Sequence, residues 1–465
     1  MEFHDIVIQQ KAYFDSNSTK SIAFRKTMLK KLMDALDKRE DLLLDALDKR
    51  EDLLLEALHK DLGKSRAEGY MTEVGMVRSE IKEALVNIEA WSHPKKTNGS
   101  LLTFFPATNQ IYTEPYGVVL IIAPWNYPLN LTLMPLVGAM AAGNCALVKC
   151  SPESIHTSRA IKDLLADLFP PEYIYCPEAD LPFETLWQER YDMIFFTGSP
   201  AAGRSVMKAA SEHLTPVILE LGGKSPCLVD ASANIELAAR RIVWGKFMNA
   251  GQTCIAVDYV AVQESVKDAL LAAMTKEIEK RYPHAERSDI YPSIINQRHY
   301  DRLVGLMKTE SGLIGGAVNA EKRRIAPTLM PDADFDHPIM QDEIFGPLLP
   351  VIAVRDLESA VTYIKTRPKP LACYVFTENK EAAESVIGAL SFGGGCVNDT
   401  LLHVTNPNLP FGGVGNSGMG SYHGKASFDA FSHKKSIVKN TTRFDLFLRY
   451  APFTERKIKW LKRFL

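Results

Sequence analysis

The chain has 465 residues, 54 Lys and Arg against 56 Asp and Glu, and 46% hydrophobic residues. That length predicts two or three domains with sizeable cores, and the even charge excludes the basic footprint of a nucleic-acid binder. Its seven cysteines are odd in number, scattered and free of CxxC pairs, which argues against a disulfide framework or a zinc site. No basic-then-apolar leader opens the sequence and no apolar stretch reaches membrane-spanning length. The expectation is a reduced, soluble, cytoplasmic protein.

In chain order, residues 21–61 are rich in Leu, Lys, Asp and Glu without Pro or Gly, and predict one long helix. Inside it DALDKREDLLL occurs twice, at Asp34–Leu44 and Asp45–Leu55. Eleven residues close about three turns, so a duplicated unit keeps its leucine stripe nearly in register while adding about 16 Å. The extra copy is expected to project as a charged, solvated extension or to bulge out. A coiled-coil site is the sharper alternative, but two units are few. Residues 68–91 predict a second helix, and 93–110 an extended loop or hairpin.

From Ile111 strands alternate with helices: VVLIIAPWNYP (118–128), a small-residue helix over 133–143, CALVKC (145–150), EYIYCP (172–177), YDMIFFTGS (191–199) and PVILEL (216–221). This alternation predicts a mostly parallel, doubly wound α/β sheet, whose ligands sit beyond the carboxyl ends of the strands. Asn126, Lys149, Gly198 and Glu220 all fall at such ends. At Gly198-Ser199 a strand passes into a helix beginning near Pro200, whose free N–H groups suit a pyrophosphate, although many such turns carry glycine for geometry alone. The only G-x-G-x-x-G, Gly413 to Gly418, lacks a following βαβ unit and is rejected as a dinucleotide fingerprint. Beyond Gly223, further strands near 227–232, 257–263, 349–354 and 373–376 predict a second α/β lobe.

Two motifs carry the chemistry. TPVILELGGKSP (215–226) puts Glu220 at a strand end before two glycines, and MNAGQTC (248–254) puts Cys254 behind a helical segment. Each alone is weak: a lone cysteine is usually an inert buried thiol, and most acids at strand ends are solvated. Together, ELGGKSP followed by GQTC resembles the active-site signature of the aldehyde dehydrogenase superfamily. The resemblance runs from about Ser21 to Ser436 and is nearest the class 3 branch, which includes fatty-aldehyde dehydrogenases.

The resemblance implies a cofactor-binding domain (1–92 and 112–222), a catalytic domain (223–424), bridging segments of a homodimer (93–111 and 425–440) and a basic tail (441–465). It makes Cys254 the nucleophile, Asn126 an oxyanion donor and Glu220 the base for hydrolysis. It assigns NAD or NADP to Trp125, Lys149, Gly198, Ser199, Gly203, Leu221, Glu343 and Phe345, with Glu343 on the nicotinamide ribose and Phe345 against the ring. It draws the substrate pocket from Trp244, Thr405 and Phe411, with Met134 making that pocket more apolar. No metal is implied. One departure stands out. The family commonly carries an acid three residues after the ribose-binding lysine, and this chain has Pro152 there with Glu153 one place later. Loss of that acid removes repulsion of a 2′-phosphate, so NADP is expected to be accepted.

The implied activity is NAD(P)-dependent oxidation of a medium- or long-chain aliphatic, or aromatic, aldehyde to its acid. A cofactor-free Cys acyl transferase or esterase, and an idle binding protein, are the rivals. The Gly-Ser turn with Lys149 speaks against the first, and the intact Cys254, Glu220 and Asn126 against the second. The tail, residues 443–465, is dense in Phe, Leu, Trp and basic residues at helical spacing. Packing on its own subunit or a dimer partner is the plainer expectation; contact with an anionic membrane surface or with the substrate funnel are the sharper ones.

Overall fold

The expected single helix over 21–61 is two helices, Ile22–Leu36 and Asp48–Leu62, that pack against each other. One straight helix rises 1.5 Å per residue and could not bring these spans into contact. The computed structural model describes residues 2–36, 48–99, 107–445 and 449–464. The expected projection or bulge of the duplicated unit falls on 37–47, outside the described residues. On either side the leucine stripe is buried: Leu29, Leu32 and Leu36 before it, Leu54, Leu55 and Leu58 after it, all in one core.

Helix Arg66–Gly69 is capped by the Ser65 hydroxyl, which accepts from the Glu68 N–H at 3.2 Å. It runs through a π-turn, Tyr70–Val74, into Gly75–Ser92. Single π-turns inside α-helices gather at functional sites, and this one faces the active centre. The expected hairpin follows as strands β1 (Lys95–Thr97) and β2 (Thr108–Pro115), paired antiparallel.

Strands β3 (Val118–Ile122), β4 (Cys145–Lys149), β5 (Ile174–Tyr175), β6 (Met193–Thr197) and β7 (Val217–Glu220) form a parallel sheet in the order β7-β6-β3-β4-β5. β3, β4 and β6 are buried at every residue, as continuous apolar strands covered on both faces must be. A second sheet is built from β8 (Pro226–Val229), β9 (Tyr259–Gln263), β10 (Ile314–Gly315), β13 (Thr328–Met330), β14 (Leu348–Val354), β15 (Ala372–Phe376) and β16 (Gly394–Val397). Its order is β10-β13-β14-β9-β8-β15-β16, parallel except at β10, and a short hairpin of β11 (Val318–Asn319) and β12 (Arg324–Ile325) stands beside it.

The glycine-dense segment rejected as a dinucleotide fingerprint has a different task. Its strand β17 (Gly418–Met419) adds antiparallel to β7, with Gly418 opposite Glu220. A Cβ on Gly418 would lie 2.3 Å from the Leu219 carbonyl oxygen, and its φ is +148°, so only glycine lets the loop approach this closely. Strand β18 (Ser432–Lys439) returns to pair with β2 along its whole length, so the two expected bridging segments share one three-stranded sheet.

Candidate active site

The first sheet delivers its chemistry-bearing residues at strand ends. Lys149 and Glu220 are the last residues of β4 and β7, Gly198 follows β6, and Asn126 lies in the turn after β3. Cys254 arrives differently. Helix Ile235–Phe247 breaks into a 3₁₀ turn, Met248–Gly251, in which Asn249 and Ala250 both have φ of +51° and Gly251 +73°. Two non-glycine residues in the left-handed region cost on the order of 1 kcal/mol or more each and persist only where their surroundings dictate them.

A buried polar network does that here. The Asn249 N–H donates to Glu68 Oε1 at 2.7 Å, and its side-chain amide donates to the Asn126 carbonyl at 2.8 Å. Gln252 donates to the Asn249 and Ser293 carbonyls and accepts from the Ile295 N–H. Asn126 Nδ2 donates to the Gln252 carbonyl at 3.0 Å, which uses one of its two amide hydrogens. Beneath them Lys64 Nζ donates to Glu73 Oε1 at 2.5 Å and to the Asn126 carbonyl at 3.1 Å, while Glu73 Oε2 accepts from the Leu129 and Asn130 N–H groups. Neither side chain of that ion pair reaches solvent. Lys64→Met should therefore cost about 3–5 kcal/mol in denaturant unfolding by leaving Glu73 charged or unpaired, and Lys64→Met with Glu73→Gln should recover part of it. Equal stability of the single variant and the parent would show that the pair does not carry the loop.

The centre is electrostatically poised to stay neutral. Burial, followed by the proximity of Glu343 and Glu220, pushes the Cys254 thiol up to about 12, with the backbone N–H groups of Cys254 and Ile255 working the other way. Burial pushes the Glu220 carboxyl well above the usual range, and both its oxygens are buried without a hydrogen-bond partner. Glu343 is pushed up to about 8 by burial and then Asp258, against the Gly223 N–H, Lys224 and Lys246. A positive charge brought among these groups would lower all three.

Two cavities meet at this centre. The larger, about 570 Å³, is lined by Trp125, Lys149, Gly198, Ser199, Leu221, Glu343 and Phe345, with Asn126 and Pro152. The smaller, about 240 Å³, is lined largely by apolar groups, Trp244, Thr405 and Phe411 among them. Cys254 and Glu220 line both. Two expected residues lie elsewhere. Met134 is buried in the core one turn beyond Asn130 and Leu131, which do reach the smaller cavity. Gly203 lines neither cavity; a Cβ there would lie 2.7 Å from Leu221, so its glycine serves to seat Leu221. Glu153 also turns away, accepting from Asn296 Nδ2 at 2.7 Å.

Sequence reasoning missed Met71, Thr72 and Met76 of the π-turn region and Tyr422 in the smaller cavity, and Arg298, His299 and Arg302 in the larger. Helix Gln297–Met307 carries the last three, and His299 packs on Trp125, which meets Phe345 edge-on at 5.3 Å. The helical ones lie in no motif, and Tyr422 sits just past the glycine-dense loop, bridged to Phe411.

The larger cavity fits a dinucleotide. Ser199 caps helix Pro200–Ser211, whose first N–H groups suit a pyrophosphate. A Cβ on Gly198 would lie 2.6 Å from the Phe196 ring, so a side chain there would have to displace that ring. Glu343 Oε1 is buried without a partner, as a group awaiting ribose hydroxyls would be.

A parallel-stranded α/β fold with a cysteine and an unpartnered glutamate at the meeting of a dinucleotide-shaped and an apolar cavity defines a cofactor-dependent oxidoreductase of aldehydes. The aldehyde dehydrogenase family model matches residues 2–437, and the chain belongs to that family. It is 45% identical to a 4,4'-diaponeurosporen-aldehyde dehydrogenase of Staphylococcus aureus, over 98% of this chain and 97% of that one. An aldehyde dehydrogenase family 3 protein of Dictyostelium discoideum is 42% identical over 95% of this chain and 92% of its own, in agreement with the class 3 resemblance. A rat protein named dimeric NADP-preferring aldehyde dehydrogenase is 41% identical over 93% of this chain and 94% of its own. The solved substrate-bound structure of Staphylococcus aureus AldH superposes with a TM-score of 0.94 at 44% identity, covering 100% of this chain and 99% of that one. The protein is thus an NAD(P)-dependent aldehyde dehydrogenase that oxidises aldehydes; a cofactor-free acyl transferase finds no support.

Proposed function

We propose that Cys254, Asn126 and Glu220 divide the reaction among them, and the observation that carries this is that Cys254 and Glu220 border both cavities. The Cys254 sulfur, ionised, adds to the aldehyde carbonyl. The remaining Asn126 amide hydrogen and the Cys254 backbone N–H stabilise the oxyanion. NAD(P)⁺, when bound, would supply the acceptor for the hydride that this adduct loses, leaving the acyl group as a thioester on Cys254. Glu220 then takes a proton from water, which attacks the thioester and releases the acid. Lys149 and the Gly198-Ser199 turn would hold the adenosine ribose and pyrophosphate, and Glu343 the nicotinamide ribose. Aldehyde with NAD(P)⁺ should raise absorbance at 340 nm; ester hydrolysis without any such rise would overturn the reading.

On the cofactor, Pro152 lines the larger cavity and Glu153 is engaged with Asn296, so no acid faces the 2′ position from this turn. NADP⁺ should work within about two orders of magnitude of NAD⁺ in kcat/KM, since one repulsive contact is worth a few kcal/mol at most. Pro152→Glu should shift preference toward NAD⁺. A wild type that turns over NAD⁺ alone would remove this explanation.

The apolar lining of the smaller cavity supports a medium- or long-chain aliphatic, or an aromatic, aldehyde; the name of the Staphylococcus aureus relative points the same way. The domain division at 222/223 is part of the same reading, supported by the change of sheet between Glu220 and Pro226, with β17 returning to the first sheet. A homodimer bridged through β1, β2 and β18 is part of the reading, supported by the exposed face of β18 and by the rat relative's name. Seven free thiols suit a reducing, cytoplasmic setting.

The tail belongs to the same proposal. Phe453, just before helix Glu455–Phe464, is 62% exposed. A dimer partner is the cover we favour, and an anionic membrane surface the second, given the basic residues between the apolar ones. No described helix is long and apolar enough to cross a membrane. Deleting residues 454–465 should raise KM for long aldehydes more than for short ones if the tail closes the substrate funnel. It should abolish liposome co-sedimentation with kinetics intact if the tail binds lipid. With neither change, only packing remains.

A further inference from the structure

Two thiols that the reaction does not use lie beside the ribose end of the cofactor cavity. Cys150 follows Lys149 at the end of β4 and lines that cavity. Cys176 follows β5, the next strand in the sheet. Their Sγ atoms are 3.8 Å apart, and both residues are buried. The pair is asymmetric. Cys176, then the Thr132 hydroxyl, Lys149 and the Ser158 hydroxyl, hold the Cys150 thiol below its usual range against burial. The hydrogen bond to Cys150, and then burial, push Cys176 well above it, against Lys149 and Lys162. Cys254, at about 12, is the poorer thiolate.

The link to the cofactor is mechanical. Lys149 Nζ donates to the Cys150 carbonyl at 3.2 Å and to the Ala179 carbonyl, three residues past Cys176. The ammonium is therefore held between the two segments that carry the thiols. A disulfide would bring the sulfurs from 3.8 Å to about 2.0 Å and drag those segments with them.

We propose that Cys150 and Cys176 are a redox modification site, oxidised by hydrogen peroxide to a reversible disulfide that closes the ribose end of the cofactor cavity. The inference rests on the cofactor reading of that cavity given above. The Cys150 thiolate attacks one peroxide oxygen; the O–O bond breaks, leaving a sulfenic acid and hydroxide, which takes a proton to become water. Cys176 then attacks the sulfenic sulfur, the S–O bond breaks, and a second water leaves with the Cys176 proton. Two electrons pass from the thiols to peroxide. A dithiol reductant reverses the step by exchange.

The test uses the full chain with Cys254→Ala, so that the catalytic thiol cannot react. NADP⁺ affinity is read by quenching of tryptophan fluorescence before peroxide, after it, and after dithiothreitol, with disulfides mapped by mass spectrometry. The expected result is a peptide linked through Cys150 and Cys176, a Kd weakened about tenfold or more, and recovery of both on reduction. Adding Cys176→Ser should leave the reduced Kd in place and abolish the response. Absence of the linked peptide, or a linked protein whose Kd changes less than about twofold, would overturn the inference while leaving the cofactor site intact. A reduced protein that binds no NADP⁺ would overturn the cofactor reading itself, and this inference with it.

Discussion

Cys254→Ala should lower aldehyde oxidation by at least about 10⁴-fold while cofactor affinity stays within about threefold of the parent. The thiol forms the only covalent bond between enzyme and substrate, and among the described groups at the centre no second thiol borders both cavities. Its contribution to stability is small by comparison, because a half-buried Cys254 loses one sulfur atom at a cavity wall. Melting curves should therefore nearly coincide. Single-turnover production of reduced cofactor at more than about a hundredth of the parental rate would remove Cys254 from the mechanism, since a nucleophile acting with its partners cannot be replaced by them.

Glu220→Gln should separate the two half-reactions. Steady turnover is expected to fall about 10²–10³-fold, in the range of a lost general base, while a rapid burst of reduced cofactor persists. Asn126→Ala should do the opposite, slowing the burst itself by about 10²–10³-fold through loss of an oxyanion donor. Identical single-turnover behaviour of the two would sink the division of roles. The pH profile supplies a second readout. Burial raises the Glu220 pKa, so the ionised base becomes more abundant as pH rises through that raised value. In the parent, a deacylation-limited kcat should accordingly climb with pH above the ordinary carboxylate range, and Glu220→Gln should flatten that limb. A parental kcat already level at pH 5.5 would contradict the assignment.

What the sequence disclosed and withheld follows one physical line. Apolar runs ending in Lys149, Gly198 and Glu220 announce themselves locally, because a strand buried on both faces is a continuous hydrophobic segment and a parallel sheet puts its ligands at one edge. The family signature added Cys254 and Asn126. The strained turn that aims Cys254 was not legible, because it is held by contacts such as Asn249 to Glu68, 181 residues apart. Nor were Lys64 and Glu73, which look like two ordinary surface charges, one in a turn and one on a helix, until the fold buries both. That Ile22–Leu36 and Asp48–Leu62 pack against each other was hidden by the repeat, because a helix-compatible period of eleven reads as continuity. Met134 failed for the converse reason. A helix apolar on all sides gives no sign of which face meets the cavity, and Asn130 and Leu131, one turn earlier, took that place.

Because the two cavities reach Cys254 from different sides, neither ligand has to pass the other on the way in or out. An alkyl compound lodged in the apolar cavity obstructs the aldehyde alone and leaves the dinucleotide's route clear. Its inhibition should be competitive toward the aldehyde and noncompetitive toward the cofactor in initial-rate kinetics. A spent dinucleotide can likewise be exchanged while the acyl group is still attached to the enzyme, so product departure follows no obligatory sequence imposed by a shared doorway.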